Sequence, residues 1–330
     1  MVVGNVGRHR ALPRGTAEKG RFSREVHAGG AVKILVSGAS GMVGRALVPR
    51  LLSHGNEVLK LERRRGSSET ISWNVETGEL SGRALDEWDS LDAVIHLAGE
   101  NIGARRWSPE QKERIHVSRV EATERLASQL LDRKPSVFLG ASAIGFYGDR
   151  GNELLKENSP RGRGFLPDVV EAWENAPRRL TTVGTRVVHL RFGMILNREG
   201  GALAKMLPLF SKGVGGKLGP GQQWVSWVSL EDVLRGIEFC LGNVNAAGAY
   251  NMVAPNPVRN LEFTRLLARA LKRPALVTAP AFGLRLLYGE MADALLLSSQ
   301  RVIPMRLLEA GFSFKHADLP TAFREVLYKN

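Results

Sequence analysis

The sequence predicts an α/β protein, a doubly wound parallel sheet with a smaller C-terminal α/β lobe. Three observations carry that expectation. A strand, a glycine turn, a helix and a second strand follow one another within residues 32–61. Further apolar runs of strand length, at 93–97, 137–142 and 186–192, alternate with helical stretches, the rhythm of parallel β-α-β units. Each of these runs also leads into glycine, at the edge where open parallel sheets take their ligands.

The first unit begins with Val32-Lys33-Ile34-Leu35-Val36, an apolar run suited to a strand buried on both faces. Ser37-Gly38-Ala39-Ser40-Gly41-Met42-Val43-Gly44 follows, and Arg45–His54 reads as a helix with Leu47, Val48, Leu51 and Leu52 inward. Glu57–Leu61 is the second strand. In this setting the glycines are informative. Gly38 permits a tight turn, Gly41 removes a side chain where a pyrophosphate must approach, and Gly44 lets the helix pack close to the sheet. The helix start at Met42 and Val43 offers N–H groups and a positive dipole end to an anion, and Ser40 adds a hydroxyl donor. This is a Rossmann-like dinucleotide site. The end of the second strand sorts the nicotinamide cofactors, because NAD needs a carboxylate for its ribose and NADP needs cations for its 2′-phosphate. Glu62-Arg63-Arg64-Arg65 holds one acid and three guanidiniums. NADP(H) is therefore expected over NAD(H), with Arg63 and Arg64 on the phosphate.

The composition narrows the classes. With 43% hydrophobic and 24% charged residues the chain is globular, and no apolar stretch approaches the roughly 18 residues that span a bilayer. The net charge of +13 is spread along the chain with no interleaved aromatics, so neither a nucleic-acid nor a membrane partner is expected. A positive cleft suits an anionic cofactor instead. Cys240 is the single cysteine, which excludes an internal disulfide and fits a reducing compartment such as the cytoplasm. Seven scattered histidines make no metal-ligand pattern. Residues 1–30 carry six Lys/Arg against two acids without apolar periodicity, and read as a disordered basic leader outside the fold. Glu18 and Glu25 weaken an organelle-targeting role for it without removing it.

Further along, Ile71-Ser72-Trp73 is strand-like and Leu85–Leu91 a short helical segment. Ala93–Leu97 runs into Ala98-Gly99-Glu100, so Leu97, Ala98, Gly99 and Glu100 are expected beside the cofactor. His96, alone inside a strand, reads as a packed structural residue. Ser108-Pro109-Glu110 starts a helix expected to continue with breaks through Leu131, and that helix carries Ser118 and Arg119 toward the cofactor side. The run Val137–Ser142 leads into Ala143–Gly148, leaving Ser142 and Tyr147 as the polar groups of this exit. Helix Pro167–Leu180 contains Trp173 and Glu174, and strand Arg186–Gly193 carries Arg191 near its end. Seven glycines between 200 and 221 surround a helix at Leu203–Phe210, a segment that reads as a lid or as a plain connection. Trp224–Val228 and Tyr250–Val253 are strands; Leu230–Cys240, Leu261–Leu271, Phe282–Leu297 and Pro320–Val326 are helices. The stripe Leu284, Leu287, Met291, Leu295 is expected in the core or at a subunit contact. The domains are expected at 31–194 for nucleotide binding and 195–330 for the C-terminal lobe, parts of which return to the main sheet.

Taken in order, these motifs resemble the extended short-chain dehydrogenase/reductase superfamily. Within it the chain is similar to the atypical epimerase-like group related to NAD-dependent epimerases and dehydratases. The resemblance covers about residues 33–328 and includes Arg106-Trp107, Ser118-Arg119, Arg191-Phe192-Gly193 and the C-terminal stretch Arg301–Gly311. It implies NADP(H) binding, with Ser118 and Arg191 among the contacts, a small carbonyl, alcohol or nucleotide-sugar substrate, and a homodimer. Typical members place a tyrosine, and a lysine four residues later, on the helix that here holds Trp173. This chain reads Phe165-Leu166-Pro167-Asp168-Val169-Val170-Glu171-Ala172-Trp173-Glu174, with neither. Ser142 and Tyr147 remain as catalytic candidates, Ala143 competes with Ser142 for the serine position, and Glu100, Arg106, Lys112 and Asp168 are further substrate contacts. Two functions stay open: an oxidoreductase or epimerase-like enzyme with a changed proton path, and a weakly active or inactive NADP(H)-binding redox sensor.

Overall fold

The computed structural model describes residues 31–63, 70–82, 88 and 90–328. Arg64, Arg65, the leader 1–30 and most of the Leu85–Leu91 segment lie outside the described residues. An eight-stranded sheet forms the centre, built from β1 (Lys33–Ser37), β2 (Glu57–Glu62), β3 (Thr70–Trp73), β4 (Leu80–Ser81), β5 (Ala93–His96), β6 (Val137–Ala143), β7 (Arg186–Phe192) and β8 (Gly248–Met252). Its order is β8-β7-β6-β5-β1-β2-β3-β4, parallel throughout except for the β3–β4 pair at one edge. The chain leaves β1 toward β2 on one side and later fills β5 on the other. That reversal opens a crevice beyond the carboxyl ends of β1 and β5.

Both faces of the sheet are covered, which is why its strands read as continuous apolar runs. Ile34, Val36, Ile95, Leu139 and Leu190 pack with Leu47 and Leu51 of α1 (Met42–Ser53) and with residues 233–241, later in the chain. Their neighbours Leu35, Val94, Phe138 and Val187 point the other way, onto Ala122, Leu126 and Leu130 of α2 (Pro109–Leu130). The α2 helix is one unbroken element. Ser108 caps it by accepting from the Gln111 N–H at 3.2 Å, and Pro109 occupies its first turn.

Helix α3 (Phe165–Asn175) is shorter than its sequence suggested, because Pro177 and a 3₁₀ segment at Arg178–Val183 end it. Beyond residue 200 the chain adds α4 (Gly201–Ser211), α5 (Leu230–Gly242), α6 (Asn260–Leu271), α7 (Ala281–Tyr288), α8 (Met305–Glu309) and α9 (Leu319–Tyr328), of which α5 and Leu307 of α8 pack on the central sheet. Trp227, Phe263, Leu267 and Phe323 centre a separate apolar cluster. The expected helix Phe282–Leu297 is broken at Gly289 (φ +58°) and resumes as a π-helical turn, Ala292–Leu297. This splits the predicted stripe: Leu284 and Met291 are buried, whereas Leu287 is exposed.

Candidate active site at the carboxyl edge of the sheet

The glycine turn between β1 and α1 is set by contacts that leave no room for a methyl group. Gly38 has φ +71°, and a Cβ there would lie 2.7 Å from the carbonyl carbon of Leu97. A Cβ on Gly44 would fall 2.3 Å from the Gly38 carbonyl oxygen, so the helix seats directly on the turn. Gly41 is the N-cap of α1, with no side-chain cap and no acid in the first turn. The first-turn N–H groups and the positive end of the helix dipole are thus left for an anion. Ser40 is exposed beside Gly41, and Met42 and Val43 are partly buried at the helix start. At the end of β2, Glu62 is partly buried and Arg63 exposed.

The next exit, Leu97–Glu100, is held by a buried relay of hydrogen bonds. Ser37 Oγ lies 2.6 Å from His96 Nδ1 and accepts from the Ala98 N–H at 3.3 Å. His96 Nε2 is 3.1 Å from Thr123 Oγ1, which also accepts the Trp173 indole N–H at 3.1 Å. The consistent assignment has Ser37 donating to an unprotonated Nδ1 and the Nε2–H donating to Thr123. Complete burial lowers the His96 pKa to about 4, so the ring is neutral. His96 is structural, as its isolation in a strand suggested, and it fixes the loop at the crevice.

Ser118 and Arg119 of α2 reach the same loop. Ser118 Oγ accepts from the Glu100 N–H at 3.1 Å, and Arg119 Nη2 donates to the Glu100 carbonyl at 2.9 Å. The Arg119 guanidinium flanks Gly99 and lies 5.1 Å from the Trp173 ring centroid. Among the described residues no carboxylate comes within ion-pair distance of it. Burial lowers its pKa to about 10, with Glu100 opposing the shift from a distance.

The structure brings Ser142, Tyr147 and Arg191 together, but in a sealed network. Ser142 and Arg191 are register partners on β6 and β7. Arg191 pairs bidentately with Glu174 of α3, through Nε at 2.7 Å and Nη2 at 2.7 Å. Ser142 Oγ donates to the same carboxylate at 2.6 Å. The Tyr147 hydroxyl accepts from Arg191 Nη1 at 2.9 Å and donates to Asn251 Oδ1 at 2.8 Å. Ser142, Tyr147, Arg191 and Asn251 are all buried, and burial raises the Tyr147 pKa despite the neighbouring guanidinium. Both hydroxyls are already engaged by these buried partners. Arg191, expected on the cofactor, is committed to Glu174 because an unpaired guanidinium at that depth would be costly. The signal for this arrangement was Trp173-Glu174 on the helix opposite Arg191; from sequence alone, that glutamate had no partner.

The start of α3 is apolar. Leu166 and Val169 pack with Trp107, Ile115 and Met291, and Phe165 lies against Trp107 with ring centroids 5.2 Å apart. The other proposed substrate contacts are held at the surface: Arg106 donates to the Leu286 carbonyl, Lys112 pairs with Glu290, and Asp168 pairs with Arg161. The glycine-rich segment 200–201 closes against the turn. A Cβ on Gly200 would sit 2.9 Å from Met42 Sδ, and Lys205 of α4 donates to the Gly103 carbonyl at 2.7 Å. One group of potential metal ligands, Glu113, His116 and Glu121, gathers on α2, but Glu121 already pairs with Arg125 at 2.8 Å. Cavities of about 510 Å³, between α4, α6 and α9, and about 470 Å³, beside Glu174 and His189, both lie away from this crevice.

Residues 34–167, which hold the glycine turn and the Leu97–Glu100 exit, match the model of the NAD dependent epimerase/dehydratase family. An epimerase family protein of Mycobacterium bovis is 40% identical over 284 residues, covering 86% of this chain and 93% of that protein. The chain belongs to the NAD-dependent epimerase/dehydratase family. A second model, a domain of unknown function called DUF1731, matches residues 279–326 of this epimerase-family chain. The chloroplastic homologue of SDR39U1 from Arabidopsis thaliana is 35% identical across 89% of the chain and 86% of its own length. Human epimerase family protein SDR39U1, solved with NADPH, superposes with a TM-score of 0.82 at 31% identity, over 91% of this chain and all of that one. The UDP-glucose 4-epimerase of Thermus thermophilus, solved with NAD, shares the fold at 19% identity and a TM-score of 0.69. The chain thus has the NAD(P)-binding fold of its family, and among the described residues no helix is long and apolar enough to cross a membrane.

Proposed function

We propose that this epimerase-family chain binds NADP(H) in preference to NAD(H) and exchanges hydride with a small carbonyl or alcohol substrate without a tyrosine–lysine relay. The observation that carries the reading is the cradle of Gly38, Gly41 and Gly44 beneath an uncapped helix start, with exposed Arg63 at the end of β2. The NADPH in the human relative supports the same choice. When bound, NADPH supplies the hydride. The first-turn N–H groups of α1 hold the pyrophosphate, and Arg63 pairs with the 2′-phosphate. Arg119, a half-buried cation without a carboxylate partner, keeps the potential beside Gly99 positive and favours an oxyanion there. With Ser142 and Tyr147 engaged in the Glu174–Arg191 network, the proton comes from water at the crevice.

Calorimetry of NADPH and NADH with the wild type and Arg63→Ala tests this. Loss of a charge-assisted contact should weaken NADPH by about 10- to 100-fold and leave NADH unchanged. Equal weakening of both, or no binding of either, refutes it. A second reading, an NADP(H)-responsive sensor, is favoured by the sealed Tyr147 hydroxyl. It predicts tight NADPH binding with no oxidation across a panel of carbonyl and sugar-nucleotide substrates.

A further inference from the structure

Two segments combine a local excess of cations over acids with most of the large exposed apolar side chains among the described residues. Residues 200–222 and 263–289 together contain eight lysines and arginines and no aspartate or glutamate. They also hold eight of the thirteen large exposed hydrophobic side chains among the described residues. Leu276 is 89% exposed, Leu286 75%, Phe282 74% and Leu287 66%, all within twelve positions. The two segments are stitched to each other. Strand Gly216–Leu218 pairs in parallel with Val277–Ala279, the Gly219 N–H donates to the Ala279 carbonyl at 2.8 Å, and Gly213 lies against the Pro274 ring. Lys212, Arg269, Lys272 and Arg273 are exposed in the same segments.

Exposed apolar side chains set among an excess of cations match a negatively charged lipid surface, although Arg285 is paired with the exposed Asp293 at 2.9 Å and Glu290 borders the face. The apolar groups enter the acyl boundary while lysine and arginine remain at the headgroups. We infer that the face formed by residues 209–217 and 272–288 docks this protein on anionic bilayers as a peripheral protein. A second copy of the chain is a poor occupant, since a two-fold contact would set this cationic patch against itself. The face also adjoins the crevice loop: Arg106 donates to the Leu286 carbonyl, and Lys112 pairs with Glu290 immediately after α7. A docked molecule would therefore hold its substrate edge near the lipid. The proposal runs against the expectation, drawn from charge distribution, of no membrane partner. The linear sequence separates by about sixty residues what the short parallel strand pair brings together.

Flotation of the full chain with phosphatidylglycerol-containing vesicles and with pure phosphatidylcholine vesicles tests the inference. Two double variants complete the set, Phe282→Glu with Leu286→Glu and Lys272→Ala with Arg273→Ala. All four positions are exposed, and circular dichroism confirms that the variants are folded. The wild type should float with the anionic vesicles at low salt and not with the neutral ones. The glutamate pair should abolish binding, and loss of the two cations should weaken it about 30-fold. Absence of anionic-vesicle binding overturns the inference. So does binding unchanged by both variants, which assigns it to another basic region such as residues 1–30. A wild-type dimer in sedimentation that the glutamate pair converts to monomer also overturns it, because a second copy then covers this face.

Discussion

Acidification should destabilise this protein through His96 by a calculable amount. The imidazole is completely buried, its Nδ1 accepts from Ser37, and its pKa falls from 6.5 to about 4. The unfolded chain therefore binds a proton below pH 6.5 that the folded chain does not take up until about pH 4. The contribution is fully present above the unfolded pKa, and stability falls as the pH drops through the window between the two values. Between pH 7.5 and 5 the loss from this one group is about 2 kcal/mol, approaching about 3 kcal/mol by pH 4. Urea unfolding of the wild type and His96→Gln, at constant ionic strength, isolates it, because other titrating groups cancel in the difference. The stability gap between the two proteins should shrink by about 2 kcal/mol on going from pH 7.5 to 5. Parallel pH profiles would refute the neutral, buried imidazole and with it the relay that fixes Ala98.

Three other outcomes follow from the same geometry. Gly44→Ala places a methyl 2.3 Å from the Gly38 carbonyl, so it should abolish NADPH binding in calorimetry while costing about 1–3 kcal/mol of stability. Glu174→Gln leaves the buried Arg191 without its counter-charge and should cost about 3–5 kcal/mol in chemical denaturation, against about 1 kcal/mol for Ser142→Ala. Tyr147→Phe should lower stability by about 1–3 kcal/mol and change the NADPH dissociation constant less than twofold; a large loss of cofactor affinity would mean that the hydroxyl does face the crevice.

The β1–α1–β2 unit was legible in the sequence because its determinants are local. A turn with positive φ requires glycine at position 38, and the helix behind it needs glycine at 44 to approach the turn. Strands buried on both faces announce themselves as unbroken apolar runs, so the order of sheet elements could also be followed along the chain. His96 was legible for the same reason: inside such a run it had to be neutral and bonded. The broken helix after Tyr288 was not, since an apolar repeat at helical spacing continues across Gly289 whether or not the backbone turns there.

Residues that meet across long sequence separations were beyond the sequence. Ser142, Tyr147 and Arg191 each stand at a strand exit, which makes them candidates for the open edge. Only the packing of α3 against β6 and β7 reveals that Glu174 gathers Ser142 and Arg191 into a closed network, with Tyr147 bound to Arg191. The exposed cationic and apolar face has the same origin, in a strand pair joining positions 216–218 to 277–279. Local backbone chemistry thus determined the nucleotide cradle from the sequence, because a turn is decided by its own few residues. Burial and charge pairing depend on distant partners, and the tertiary structure alone decided which side chains face the crevice and which are spent holding it together.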